Sequence, residues 1–91
     1  MANPITTSGV RNGPISTTAH SGETTQVWID RHSTSVESSQ PTGNTLKTTW
    51  TSASGAQSVS TTRAANESDE SFLLRHILDY TGGMVSQPPI P

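Results

Sequence analysis

The sequence predicts an α+β fold: a small antiparallel β-meander of three to four strands with one C-terminal α-helix, flanked by extended N- and C-terminal arms. Three observations lead there. Residues 24 to 62 read as short alternating segments separated by turn signals at 40–44 and 53–56. Residues 66 to 83 carry apolar side chains at helical spacing, opened by acids and closed by two glycines. The two ends hold most of the prolines and few strong hydrophobes. The chain therefore divides into an extended arm over 1–23, a meander-plus-helix domain over 24–83 and a Pro-rich tail over 84–91.

The arm contains a short internal repeat. Pro4-Ile5-Thr6-Thr7-Ser8-Gly9 returns ten residues later as Pro14-Ile15-Ser16-Thr17-Thr18. Ile5, Val10 and Ile15 are spaced by five, which matches neither the helical period nor strand alternation. Such a segment buries too little alone to offset an ordering cost of about 1–2 kcal/mol per residue. Its isoleucines are expected to dock on a neighbouring subunit.

Within the central part, Thr24 to His32 alternates as a strand. Val27, Ile29 and Arg31 fall on one face, and Gln26, Trp28, Asp30 and His32 on the other. Residues 33–39 continue it after a bend. Gln40-Pro41-Thr42-Gly43-Asn44 is a turn, since proline presets φ and glycine or asparagine tolerates positive φ. Thr45 to Ser52 is the clearest strand, with Leu46, Thr48 and Trp50 facing one way. Ala53-Ser54-Gly55-Ala56 turns the chain into a third strand over 57–62 centred on Val59. Abundant threonine suits the wet face of such a sheet.

The helix starts after Asn66-Glu67-Ser68-Asp69-Glu70, which supply caps and first-turn acids, and is expected to stop at Gly82-Gly83. Leu73, Leu74, Ile77, Leu78 and Tyr80 form its apolar arc. Arg75, His76 and Asp79 lie opposite, and Phe72 stands among them, a candidate anchor for a second surface. The tail through Gln87-Pro88-Pro89-Ile90-Pro91 is expected to be polyproline II.

Composition narrows the function classes. The chain has 91 residues, no cysteine, a net charge of -2, and is 29% hydrophobic and 13% charged. Ser and Thr make up 29 of 91 residues, while Leu, Ile, Val and Phe make up only 15. No cysteine means no disulfide, thiolate metal site or thiol catalysis. No apolar run is long enough to span a membrane, and the N-terminus lacks the features of a secretory signal. Asp30-x-His32 offers two metal ligands on one strand face, but no spacing supplies a third, so no cofactor or metal is expected. Catalysis is not expected either, because no nucleophile elbow occurs and the core is small for a preorganised pocket. Trp28 and Trp50 beside Arg31 and Lys47 would suit base stacking, but five cations against seven acids argue against nucleic acid. The two tryptophans belong more naturally to the core. Asn66-Glu67-Ser68 fits a glycosylation sequon, yet it doubles as a helix start, and capping is the reading adopted.

What remains is a structural, assembly-type subunit whose partners are protein subunits, in a homo-oligomer, with neither nucleic acid nor membrane involved. This composition is similar to that of small accessory proteins of virus particles, such as capsid-decorating or tail components. The expected location is a virion or other particle, after synthesis in the cytoplasm. The expected partner-binding residues are Ile5, Val10, Ile15, Trp28, Phe72 and Ile90. The alternative is a free-standing protein-binding module or inhibitor acting on one partner.

Overall fold

A computed structural model of the chain describes residues 4–11, 13–52 and 55–84. Its elements are β1 (Ile5–Ser8), β2 (Ile15–Thr17), α1 (Thr25–Glu37), β3 (Thr45–Ser52), β4 (Gly55–Thr62) and α2 (Asp69–Met84). The four strands form one antiparallel sheet in the order β2-β1-β3-β4. Both helices cover the same face, α1 packing on β1 and β2 and α2 on β3 and β4, with the helices also touching each other. Over the described residues the fold is α+β, with four antiparallel strands and two helices.

Two expectations are corrected. Residues 25–37 are a helix, not a strand. The Thr24 hydroxyl caps it by accepting from the Val27 amide, and Trp28, Ile29, His32 and Val36 make its buried stripe. Those positions fit a helical period as well as Val27, Ile29 and Arg31 fit alternation, and burial against the sheet decides between them. The described part of the N-terminal segment contributes two strands to the sheet rather than extending as an arm. Its two Pro-Ile stretches are the two strands of a hairpin, with Ile5 opposite Thr17 and Thr7 opposite Ile15. Val10 extends the chain's own core by bridging Pro41. The tail beyond Met84 lies outside the described residues.

The C-terminal helix forms as expected but is rotated and longer. Its buried face is Phe72, Leu73, His76, Tyr80 and Met84, while Leu74 and Leu78 are exposed. Histidine enters the core because hydroxyls on the sheet satisfy it. The helix runs through Gly82-Gly83 to Met84, and Gly83 packs where a Cβ would stand 3.4 Å from the Trp50 ring. Phe72 is fully buried, with the Arg63 guanidinium 4.7 Å above its ring.

The topology repeats. Strand, strand and helix occur twice, and β2–α1 maps onto β4–α2 with an offset of 44 residues. Thr17-Thr18, Glu23 and Arg31-His32 correspond to Thr61-Thr62, Glu67 and Arg75-His76. β1 maps onto β3 with an offset of 41, the second hairpin being longer by three residues. Register agrees: Ile5↔Thr17 matches Leu46↔Thr61, and Thr7↔Ile15 matches Thr48↔Val59. The central pairing Thr7↔Thr48 joins equivalent residues, so it sits on the pseudo-two-fold axis.

Candidate functional site

Each half opens its helix with the same clamp. The loop before the helix turns at a positive-φ residue, Gly22 (80°) in one half and Asn66 (63°) in the other. The next residue is the glutamate. Glu23 takes Arg31 Nε and Nη2 at 2.8 Å each, while Glu67 takes Arg75 at 3.0 and 2.7 Å. Arg31 Nη2 also donates to the Thr18 carbonyl (2.7 Å), and Arg75 Nη2 to that of Thr62 (2.6 Å). The guanidinium in each case holds its carboxyl down at about 2, helped by a backbone amide from His20 or Ala64. The clamp ties the edge strand to the helix and thereby aims the residue after the arginine.

That residue is the histidine, and it leads into the centre of the molecule. His32 and His76 are both fully buried. His32 bonds Thr17 through Nδ1 and Thr7 through Nε2, each at 2.7 Å. His76 bonds Thr61 through Nδ1 and Thr48 through Nε2, again at 2.7 Å. The Thr7 and Thr48 hydroxyls meet on the axis at 2.6 Å. A continuous chain of side-chain hydrogen bonds thus runs Thr17–His32–Thr7–Thr48–His76–Thr61 across the sheet.

Its direction follows from proton counting. Burial pushes both histidines down to about 4, so each is neutral near pH 7 and carries one N–H. At one end Thr61 donates to Asp79 Oδ2 at 2.6 Å. Its single proton is then used, and His76 Nδ1–H must donate to Thr61. His76 Nε2 therefore accepts from Thr48, and Thr48 accepts from Thr7. Thr7 in turn accepts from His32 Nε2–H, leaving His32 Nδ1 to accept from Thr17. The two equivalent histidines hold opposite tautomers. Asp79 breaks the symmetry, because its counterpart in α1 is Ser35.

Tyr80 closes the space between the rings. It stands edge-on to His32 (5.7 Å) and His76 (5.5 Å), and its hydroxyl meets Ser33 Oγ at 2.6 Å. Burial raises the phenol to about 12. Every nitrogen of this network is occupied and none is reachable from solvent. The arrangement is suited to fixing the two halves to each other.

The structure places most of the residues expected to bind a partner inside the chain's own core. Ile5, Val10, Trp28 and Phe72 are in the core, at 0%, 4%, 0% and 0% exposure. Ile15 is half-buried against the cluster that holds Val10 and Phe72. These residues have an intramolecular use, because the segment holding the first three isoleucine and valine positions is part of the sheet. Ile90 lies outside the described residues. Asp30 and His32 do not converge, since two residues along a helix point them apart. Asp30 accepts from Gln26 on the exposed side while His32 enters the core. Among the described residues no three His, Asp or Glu side chains group as a metal site. Trp28 donates its indole N–H to the Thr17 carbonyl (2.8 Å), and Trp50 is buried with it.

The surface offers three other features. The uncovered face of the sheet carries Thr6, Ser16, Lys47, Thr49, Ser58 and Ser60, nearly all hydroxyls and without an aromatic ring. Among the described residues no strand pairs with the outer side of β4, whose Thr62 carbonyl is taken by Arg75. On α2, Leu74 and Leu78 are 40% and 72% exposed. Comparison with known protein families, curated proteins and solved structures finds no match to this chain.

Proposed function

We propose that the chain is a structural subunit of a homo-oligomeric or larger assembly, and that it joins its neighbour through the edge of β4 rather than through terminal arms. A small accessory component of a particle such as a virion fits this reading. The observation that supports it is the difference between the two sheet edges. β2, three residues long and preceded by Pro14, is a short and guarded edge. β4 is its counterpart in the second half, yet it extends over eight residues with neither proline nor charge. Natural sheets blunt exposed edges of that length, so residues 56–60, which carry no such guard among the described residues, are suited to pairing. Antiparallel pairing of β4 with β4 of a second copy would give one sheet of twice the width, with Ala56, Ser58, Ser60 and Thr62 continuing its hydroxyl face.

Sedimentation at micromolar concentration tests it. The expected result is a dimer or larger species. Ser58→Lys with Ser60→Lys, which guards the edge without touching the core, is expected to yield a monomer with unchanged thermal stability. A wild-type chain that stays monomeric would contradict this reading and favour the second one, a free-standing module that binds a single protein partner. The exposed Leu74 and Leu78 speak for that second reading.

A further inference from the structure

We propose that the outer face of α2 around Leu74 and Leu78, with the adjoining groove that carries Glu37 and Glu70, receives an amphipathic segment of a different protein, one that presents apolar side chains beside lysine or arginine. This goes beyond the edge reading and uses a separate surface.

The two halves of the fold act as a control on each other. At the positions equivalent to Leu74 and Leu78, α1 carries Asp30 and Thr34. The same ββα unit therefore forms without leucine there, and core packing does not require it. Both helices spend their buried stripes on the sheet in the same way, Trp28, Ile29, His32 and Val36 matching Phe72, Leu73, His76 and Tyr80. The two leucines are one turn apart and so present one continuous strip. Among the described residues α1 exposes one large apolar side chain, Val27, whereas α2 presents two leucines one turn apart, and such a strip marks a surface used by something else.

The surroundings give that occupant its chemistry. Leu74 lines an open groove of about 490 Å³ between the C-terminal end of α1 and the start of α2, where Glu37 and Glu70 also lie. It lines a second concavity of about 420 Å³ that Leu78 shares. Among the described residues neither Glu37 nor Glu70 is ion-paired, whereas Asp69 in the same groove is held by Arg63 at 2.8 Å. An apolar strip beside two unneutralised carboxylates is complementary to an apolar and basic segment. A second copy of this chain supplies that poorly. Of its five cations, Arg31, Arg63 and Arg75 are ion-paired and Lys47 stands on the uncovered face of the sheet, which leaves Arg11 alone.

The test uses the full chain labelled with nitrogen-15 and two synthetic amphipathic helices of equal apolar content, one leucine/lysine and one leucine/glutamate. The lysine peptide is expected to shift the amide signals of α2 around Leu74 and Leu78 and of the end of α1. It should bind more tightly than the glutamate peptide by about tenfold or more. Leu74→Asp with Leu78→Thr installs the residues α1 has at these places and is expected to abolish those shifts. That variant adds a negative charge, so mere attraction of a cationic peptide would grow stronger in it, and such a gain would overturn the proposal. Equal binding of both peptides would overturn it as well, as would shifts on the sheet face instead of α2. Concentration-dependent shifts at Leu74 and Leu78 without any peptide would make a second copy the occupant and likewise overturn it.

Discussion

Lowering the pH from neutral should destabilise this protein through its two buried histidines. In the folded chain His32 and His76 are held down to about 4 by burial, against an ordinary value of 6.5 that applies once the chain unfolds. Between those limits the unfolded state binds two protons that the folded state refuses, so stability rises with pH and falls as acid is added. Each histidine contributes a slope of up to about 1.4 kcal/mol per pH unit. By about pH 4.5 the loss is close to 2 kcal/mol per histidine and roughly 4 for the pair, after allowing for solvent screening. A small domain holds only about 5–15 kcal/mol in all, so this removes between about a quarter and most of its stability. Urea unfolding followed by circular dichroism from neutral to acid pH measures the slope directly. A free energy of unfolding that stays flat from pH 7 to about 5 would refute the reasoning, because it would mean that the rings are protonated in place or reached by water.

Other expectations follow from the same geometry. Glu23 and Glu67, held near 2 by their arginines, contribute stability that is present above pH 4.5 and lost as pH falls toward 2. Glu23→Gln and Glu67→Gln should each lower the melting temperature and abolish that second acid step in the affected half; an unchanged acid profile would count against the clamp. Thr48→Val removes the hydroxyl that joins the halves, leaving His76 Nε2 without a donor and the Thr7 hydroxyl proton without its acceptor. Urea unfolding should show a loss of about 2–4 kcal/mol, and a neutral result would show that the central bond carries no stability. Gly9→Ala meets two obstacles, a φ of 90° and a Cβ directed into the Thr45 carbonyl. It should cost at least about 2 kcal/mol in the same assay, and a neutral result would mean that the backbone at Gly9 does not pass Thr45 this closely.

How much of this was legible in the sequence depends on the element. β3 and most of β4 stand out because their side chains alternate, although β4 begins at Gly55, two residues before the expected start. The start of α2 is equally plain from its capping residues and acids. Residues 25–37 were ambiguous because Val27, Ile29 and Arg31 satisfy alternation while Trp28, Ile29, His32 and Val36 satisfy the helical period. Only burial against β1 and β2 breaks the tie. The N-terminal strands were hidden by their shortness, four and three residues, and by flanking prolines and glycines.

The rotation of α2 has a chemical cause. Hydropathy assigns Leu74 and Leu78 to the core and His76 to water, but the threonines on the sheet accept a neutral imidazole and exclude the leucines. One signal would have found this. Thr-Thr, then Glu after four residues, then Arg-His after seven more, occurs at 17–32 and again at 61–76. A repeat of polar residues at fixed spacing announces shared polar structure even where the apolar pattern misleads.

The two ββα halves are joined by one polarised hydrogen-bond chain whose sense is set by Asp79. Long-range proton–nitrogen correlation of the histidine side chains near pH 7 tests that claim most directly. It should show His32 as the Nε2–H tautomer and His76 as the Nδ1–H tautomer, with the contrast lost in Asp79→Ala. Two identical tautomers in the wild-type chain, or either ring titrating near its ordinary value, would contradict it.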